Sequence, residues 1–195
     1  LCAHATGRDT LSPPVIAALE RVPRQRFVPP GLQPSAYENR PLSIGLGQTI
    51  SQPFIVALMT DLLDLAPDDV VLEIGTGSGY QAAVLAQLAR QVYSVETLPE
   101  LARSARAHLE ELGYRNVAVR IGDGHQGWPE HAPYDAIIVT AAARDVPPAL
   151  LAQLKPGGRM MIPVGERYAT QDLVLITKDA SGEIQRRSIL PVAFV

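Results

Sequence analysis

Short apolar runs alternate with helix-like segments through most of the chain. The run at 70–74 has the length and residue types of a buried strand, and 79–90 is rich in the Ala, Leu and Gln that favour a helix. The same patterns predict helices at 12–20, 53–64, 79–90, 98–112 and 147–153, and strands at 70–74, 92–96, 117–121, 135–140, 158–163, 172–178 and 184–194.

The connections between these strands indicate how they are arranged. Helices or turns separate the four strands that begin at Val70, Val92, Val117 and Asp135, as successive parallel strands require. Only the turn residues Asp179-Ala180-Ser181-Gly182 separate the last two strands, which indicates a hairpin. The sequence therefore predicts an α/β fold, a doubly wound and mostly parallel sheet with an antiparallel C-terminal hairpin.

The composition of the chain indicates its domain organisation and the partners it is expected to have. A chain of 195 residues that is 47% hydrophobic is expected to form one domain over 1–195, with an N-terminal helical segment at 1–65 and an α/β core at 66–195. The single cysteine, Cys2, excludes an internal disulfide, and no apolar run reaches the ~18 residues of a membrane span. We expect a cytoplasmic monomer that associates with neither membranes nor nucleic acid, since the net charge is −3 and no block of like charge occurs.

Three glycines at alternate positions follow the strand at 70–74. The segment reads Glu73-Ile74-Gly75-Thr76-Gly77-Ser78-Gly79-Tyr80 and leads directly into a helical pattern. Glycine allows positive φ and a close approach of the backbone to a ligand, and the helix N-terminus offers unpaired N–H groups. The dinucleotide motif G-x-G-x-x-G requires glycine where this chain has Tyr80, which argues against a nicotinamide enzyme.

This E-x-G-x-G-x-G segment resembles the first motif of class I S-adenosylmethionine-dependent methyltransferases, which have a Rossmann-like fold. The resemblance implies that S-adenosylmethionine is the cofactor and S-adenosylhomocysteine the product. It also implies that the loop holds the methionine portion and the ribose. The cofactor-binding candidates in the motif are Glu73, Gly75, Thr76, Gly77, Ser78 and Gly79.

Three further strand ends should complete the cofactor site, because ligands of open α/β sheets bind outside the carboxyl ends of the strands. Glu96 ends the second strand about 20 residues beyond the glycines, where a carboxylate can accept hydrogen bonds from ribose hydroxyls. Asp123 after the third strand can accept from the adenine amino group, and Gly124 lets the backbone approach the ring. Thr140 and the small residues after it leave space at the fourth strand end.

Longer stretches resemble one family, the protein-L-isoaspartate O-methyltransferases. The matching segments are Arg26-Phe27-Val28-Pro29, Ala36-Tyr37, Gly47-Gln48-Thr49-Ile50-Ser51-Gln52-Pro53, Val71 to Tyr80, Gly122-Asp123-Gly124 and Tyr134 to Ala142. The likeness extends from about residue 12 to residue 195. It implies methyl transfer from S-adenosylmethionine to the free α-carboxyl of L-isoaspartyl residues in damaged proteins and peptides, which initiates repair. It also implies that Ser51 is the active-site hydroxyl, with Thr49 and Ile50 where cofactor and substrate meet.

Other interpretations stay open at this stage. Ser51 and Gln52 could simply cap the helix that begins near Pro53. A methyltransferase of another substrate class would keep the cofactor residues and differ between Gly45 and Pro53, and a non-catalytic member would bind cofactor without turnover. The histidines lie in no hydrolase motif, and no His or Cys spacing favours a metal site. We expect His125 to be an ordinary loop residue.

Overall fold

The computed structural model describes residues 3, 7 and 9–195. Cys2, the single cysteine of the sequence, and His4 lie outside the described residues. Within residues 9–195 the α-helices are α1 (Pro13–Arg21), α2 (Pro53–Leu62), α3 (Tyr80–Ala86), α4 (Pro99–Glu111) and α5 (Pro148–Gln153). The strands are β1 (Leu42–Gly45), β2 (Gln48–Ile50), β3 (Val70–Ile74), β4 (Gln91–Glu96), β5 (Val117–Ile121), β6 (Tyr134–Val139), β7 (Leu154–Val164), β8 (Gln171–Lys178) and β9 (Ile184–Val192).

Seven strands form the central sheet in the order β5-β4-β3-β6-β7-β8-β9. The pairs from β5 to β7 are parallel, whereas β8 pairs antiparallel with both β7 and β9. The predicted mostly parallel sheet with an antiparallel C-terminal hairpin is therefore confirmed. Its last strands run as a simple meander with β8 in the middle, an order that the sequence pattern leaves open.

Alternating side chains of the sheet contribute to two apolar cores. Val71 and Ile138 face the core that α1, α2, α3 and α4 help to build, while Leu72 and Ile137 face the core that includes Leu150 of α5. All four of these strand residues are fully buried. Strands that are apolar on both faces are typical of a parallel sheet covered by helices on both sides.

The structure differs most from the predicted elements in three places, and in addition α2 ends at Leu62 rather than residue 64 and β9 at Val192 rather than residue 194. Helix α3 ends at Ala86 rather than residue 90, and β7 begins at Leu154 rather than residue 158. Leu154 already pairs with Tyr134, and the extra residues before Arg159 bulge out of the ladder around a glycine turn. The small hairpin of β1 and β2 was not predicted, because strands of three and four residues are too short to show alternation.

No helix within the described part of the chain is long and apolar enough to cross a bilayer.

Candidate functional site

The register of the parallel strands brings three chain segments to one edge of the sheet. Ile74 of β3 pairs with Val95 of β4 and with Val139 of β6, so these strands end at the same level. The backbone then continues the ladder, with the Gly75 N–H donating to the Val95 carbonyl at 2.8 Å. The glycine loop (residues 75–79) and the residues that follow β4 and β6 are thereby neighbours.

Gly75 is the position where the loop most clearly requires glycine. Its φ is 95°, and a Cβ there would lie 2.8 Å from Thr140 Oγ1. That hydroxyl donates to the Gly75 carbonyl at 2.6 Å, so Thr140 fastens the end of β6 to the loop. A side chain at this position would both strain the backbone and break that contact.

Glu96 shapes the loop from the end of β4. One carboxylate oxygen accepts the Gly77 N–H at 2.8 Å, and the other accepts the Leu98 N–H at 3.0 Å. Glu96 is almost completely buried and lies in the wall of the cavity described below. Since each carboxylate oxygen can accept more than one hydrogen bond, Glu96 retains capacity for two hydroxyl donors.

A chain of buried polar groups lies behind the loop. The Ser94 hydroxyl donates to Glu73 at 2.5 Å and lies 2.6 Å from Thr76 Oγ1. Glu73 is fully buried, and this desolvation, reinforced by the negative charge of Glu96, raises the pKa of Glu73 to about 8. Glu73 is therefore protonated at neutral pH and supports the loop from inside the protein.

A cavity of about 1050 Å³ opens over this edge of the sheet. Its walls include nine of the predicted site residues: Thr49, Ile50, Ser51, Gly75, Thr76, Gly77, Ser78, Glu96 and Thr140. The structure thus brings the glycine loop and the segment around Ser51 to one continuous space. The four other predicted residues, Glu73, Gly79, Asp123 and Gly124, do not line the cavity.

At the third strand end, Asp123 and Gly124 make contacts within the protein. The exposed Asp123 side chain accepts from the backbone N–H of His125 at 2.9 Å, and this hydrogen bond holds the pKa of Asp123 below its usual value. A Cβ on Gly124 would lie 2.4 Å from Ile74, so packing against β3 already explains that glycine. His125, expected to be an ordinary loop residue, lies in the cavity wall.

A hydrogen bond to its backbone carbonyl holds Ser51 in place, and its side chain does not cap α2. The helix begins with Gln52 as N-cap and shows no side-chain cap bond from that residue. Instead, the Asn39 side chain accepts the Phe54 N–H at 3.1 Å. The Ser51 carbonyl accepts from Arg24 at 2.8 Å, which leaves the capping interpretation of Ser51 without support.

Arg24 connects this segment to the glycine loop. It is almost completely buried, donates to the Ala36 carbonyl at 2.6 Å, and lies over the Tyr80 ring with 4.9 Å to the centroid. Tyr80 directly follows the loop and also packs edge-on against Phe27. The tyrosine that argues against a nicotinamide enzyme is therefore a packing link between the loop and the segment that carries Ser51.

Two wall segments escaped sequence reasoning. The loop between β7 and β8 contributes Arg167 and Thr170, and the end of the chain contributes 190–195. Residues 167–170 match the family pattern only weakly and the end of the chain carries no motif, so sequence reasoning assigned no site residue to either segment. Among the described residues, no group of three or more His, Cys, Asp or Glu side chains could hold a metal ion.

Comparisons with known proteins agree on one family. The model of the protein-L-isoaspartate(D-aspartate) O-methyltransferase (PCMT) family matches residues 3–195. The chain is 60% identical over 193 residues to protein-L-isoaspartate O-methyltransferase 1 of Cupriavidus necator, covering 99% of this chain and 74% of that protein. It is 59% identical to protein-L-isoaspartate O-methyltransferase 2 of a Polaromonas species, covering 97% of this chain and 90% of that protein.

Solved structures give the same result. One protein-L-isoaspartate O-methyltransferase superposes with a TM-score of 0.86 at 32% identity, covering 95% of this chain and 61% of that one. A Plasmodium falciparum structure described as such a methyltransferase in complex with S-adenosyl-L-homocysteine superposes with a TM-score of 0.81 at 26% identity, covering 94% of this chain and 89% of that one.

Proposed function

The chain belongs to the protein-L-isoaspartate(D-aspartate) O-methyltransferase family, and from this premise we propose how its cavity carries out the reaction. The protein transfers a methyl group from S-adenosylmethionine to the free α-carboxyl of L-isoaspartyl residues in damaged proteins and peptides, which initiates repair. The observation that carries the proposal is the continuity of the cavity, which has the glycine loop and Ser51 in one wall.

The residues around the glycine loop suit the cofactor. Gly75 leaves no room for a side chain, so the ligand meets backbone there, and Glu96 offers acceptor capacity for vicinal ribose hydroxyls. Thr76, Gly77, Ser78 and Thr140 complete this part of the wall. Bound S-adenosylmethionine supplies a methyl group on a positively charged sulfur. We propose that Asp123 and Gly124 lie next to the adenine, together with His125, which is part of the cavity wall.

Glu73 and Gly79 have supporting roles in this proposal. Glu73 holds Ser94 and, through it, Thr76 from behind the loop. Gly79 packs against Leu109 of α4, where a Cβ would approach to 3.3 Å. Both residues shape the cofactor site without facing the ligand.

The acceptor needs alignment more than activation. An α-carboxyl group has a pKa of about 3.3 to 3.7, so the nucleophile is already ionised at neutral pH. One carboxylate oxygen attacks the methyl carbon, and the carbon–sulfur bond breaks with its electron pair passing to sulfur. Ser51 donates a hydrogen bond that orients the carboxylate, and Thr49 and Ile50 line the space where the reactants meet.

The cavity also has room for a segment of the substrate. Its volume of about 1050 Å³ is slightly above the roughly 300 to 1,000 Å³ typical of small-molecule pockets. Isomerisation adds a methylene to the backbone and leaves the α-carboxyl as a short branch. A wall that positions the flanking peptide groups can then place only that oxygen in line with the methyl group.

We further propose that the protein acts as a cytoplasmic monomer on proteins and peptides, without nucleic acid or membrane partners. The net charge of −3 and the absence of a like-charge block in the sequence support this. Sedimentation of the purified chain with and without an isoaspartyl peptide tests the oligomeric state.

A matched pair of peptides tests the function. The protein is incubated with tritiated S-adenosylmethionine and two peptides that differ only in having L-isoAsp or L-Asp at one position. We expect label in the isoAsp peptide alone. Equal labelling of both peptides, or labelling of neither while a small molecule is methylated, would instead support a methyltransferase of another class. Cofactor binding without any transfer would indicate a non-catalytic member.

A further inference from the structure

Residues 122–133 connect β5 to β6 and pass along the cavity on the way. The sheet holds the start of this connection, because the Gly122 N–H donates to the Glu96 carbonyl at 3.0 Å. His125 lies in the cavity wall, and its N–H donates to the exposed side chain of Asp123. This hydrogen bond shapes the turn at 123–125 without tying it to a neighbouring element. The position of the turn therefore depends also on the contacts of the residues that follow.

Gln153 makes two of those contacts. Its side-chain carbonyl accepts the Trp128 N–H at 2.9 Å, and its amide nitrogen donates to the Gln126 carbonyl at 2.8 Å. Gln153 is the last residue of α5, and Leu154 begins β7 directly after it. Leu150 and Leu154 are each only 1% exposed, so packing on both sides fixes the backbone of Gln153. The side chain therefore ties the connection to a fixed joint between a helix and a strand.

Gly127, between the two bonded residues, lies directly against this amide. Its φ is 62°, and a Cβ there would lie 2.4 Å from Gln153 Oε1. Arg120 of β5 donates to the Gly127 carbonyl at 2.7 Å, and the Tyr134 hydroxyl of β6 donates to the Trp128 carbonyl. The backbone at 126–128 is thus held from three elements, and Gln153 supplies the contacts from α5.

Both hydrogen bonds require the amide group. A carboxylate accepts from the Trp128 N–H but cannot donate to the Gln126 carbonyl, and an aliphatic side chain does neither. Gln153 is only 8% exposed, and leaving buried backbone groups unpaired is costly, so either change displaces residues 126–128. His125 directly precedes these residues, so the displacement extends to the cavity wall. The hydrogen bonds that hold the glycine loop involve other residues.

We propose that Gln153 is a positioning residue for the cofactor, which holds the turn at 123–125 in the place where it contacts the adenine. This inference rests on the proposed function, in which that turn lies next to the adenine, and it adds the side chain that determines where the turn lies. It assigns Gln153 an effect on adenine recognition and none on peptide recognition.

The test compares Gln153→Leu and Gln153→Glu with the wild type. We expect the Kd for S-adenosylhomocysteine, measured by calorimetry, to rise by about tenfold or more, since small displacements of positioning groups have large effects. KM for the isoAsp peptide at saturating S-adenosylmethionine should stay within about twofold. Gln185→Leu is the matched control, because Gln185 is an exposed glutamine near the start of β9.

A second ligand locates the effect at the adenine. S-inosylhomocysteine carries an oxygen in place of the adenine amino group and is otherwise the same molecule. The wild type should prefer S-adenosylhomocysteine, and this preference should shrink in both Gln153 variants, because specificity is the difference between two affinities and the turn supplies that difference.

Three results would overturn the inference. One is a lower Tm with an unchanged Kd for S-adenosylhomocysteine, which would mean that Gln153 only stabilises the fold. Another is an equal loss of affinity for both ligands, and the third is a wild type that binds the two equally. Wild-type enzyme that methylates no isoAsp peptide would instead refute the proposed function, and the binding measurements do not depend on methyl transfer, so the two failures are distinguishable.

Gly127→Ala tests the same contact with Gln153 unchanged. The added methyl would lie 2.4 Å from Gln153 Oε1, so the amide has to move away. We expect the same loss of affinity and of ligand preference as in Gln153→Leu. Gly113→Ala is the control, because Gly113 has a φ of 83° and open space around it. Normal binding by a folded Gly127→Ala protein would contradict the proposal.

Hydrogen exchange on the wild type decides the matter if none of these variants folds. S-adenosylhomocysteine should slow exchange of the amides at 123–126, and adding the isoAsp peptide to that complex should slow them no further. Unchanged exchange with S-adenosylhomocysteine, or protection that requires the peptide, would contradict the proposal.

Discussion

The two sides of the cavity are built in different ways. The cofactor side, which comprises the glycine loop, Glu96 and Thr140, follows from strands that are adjacent in one parallel sheet and end at the same level. The proposed substrate side comprises 49–52, 165–170 and 193–195, which are far apart in the sequence. Single side chains hold these segments through backbone groups: Arg24 and Gln171.

Because of this difference, we expect cofactor binding and substrate recognition to depend on different sides of the cavity. Parallel register fixes the cofactor side through main-chain hydrogen bonds between neighbouring strands. The substrate side depends on a few long-range bonds, so its shape can change without loss of the sheet. Variants on the first side should therefore weaken cofactor binding, and variants on the second should change peptide turnover.

The largest effect is expected for Gly75→Ala. The added methyl would lie 2.8 Å from Thr140 Oγ1 at a φ of 95°, so the loop has to move. We expect the affinity for S-adenosylhomocysteine, measured by calorimetry, to fall on the order of a hundredfold. Gly182→Ala is the control, because Gly182 has a φ of 89° but open space around it. It should cost about 1 to 2 kcal/mol of stability and leave binding unchanged; equal binding losses would contradict the assignment.

The next largest loss of cofactor affinity is expected for Glu96→Ala. It removes the acceptor for the Gly77 and Leu98 N–H groups as well as the proposed ribose contacts. Hydrogen bonds to a charged group contribute about 1.5 to 3 kcal/mol each, so the affinity for S-adenosylhomocysteine should fall at least roughly tenfold. Glu100→Ala, an exposed glutamate in the first turn of α4, should bind normally. Unchanged affinity in Glu96→Ala would remove this residue from the site.

Ser51→Ala tests the substrate side. We expect kcat to fall about tenfold while the affinity for S-adenosylhomocysteine is kept, because alignment is shared with the backbone that Arg24 holds. Asn39→Ala provides the contrast, since Asn39 caps α2 and its loss should cost about 1 kcal/mol of stability. A Ser51→Ala protein of lower Tm and full activity would restore the capping interpretation.

The last prediction concerns the pH dependence of stability and not binding or turnover. Folded Glu73 keeps its proton up to about pH 8, whereas the unfolded chain releases it near its ordinary pKa of 4.5. The free energy of unfolding contributed by this group therefore falls as the pH rises between those values, by at most about 1.4 kcal/mol per unit. Glu73→Gln should flatten the slope in urea titrations between about pH 6 and about pH 8. An unchanged slope would mean that Glu73 is ionised in the folded protein.

The features that could be predicted from the sequence lie mainly on the cofactor side of the cavity. Strands β3 to β6 and the glycine loop were predictable because apolar runs, glycines and strand-end carboxylates are local signals. Asp123 and Gly124 were assigned to the cofactor site from their place after β5, and this stays a prediction; in the structure Gly124 packs against Ile74 and Asp123 accepts from His125. Burial of Glu73 could not be inferred from a motif. The division of the chain at residues 65 and 66 stays a prediction.

The substrate side was predictable only through family resemblance. The resemblance pointed to Ser51, but neither periodicity nor spacing indicated the β1–β2 hairpin, the Asn39 cap or the hydrogen bonds of Gln171. Each depends on a contact between residues that are distant in sequence, and such contacts leave no local pattern. The sequence thus indicates where the cofactor binds more readily than what receives the methyl group.

The most direct test of the account locates the transferred methyl group. An isoAsp peptide whose other carboxyl groups are blocked is incubated with the protein and S-adenosylmethionine and followed by mass spectrometry over time. We expect a methyl ester on the α-carboxyl of the isoaspartyl residue, then a succinimide as the backbone nitrogen displaces methanol, and then the appearance of the L-Asp peptide. A methyl group on any other atom, or equal ester formation on the L-Asp peptide, would contradict it.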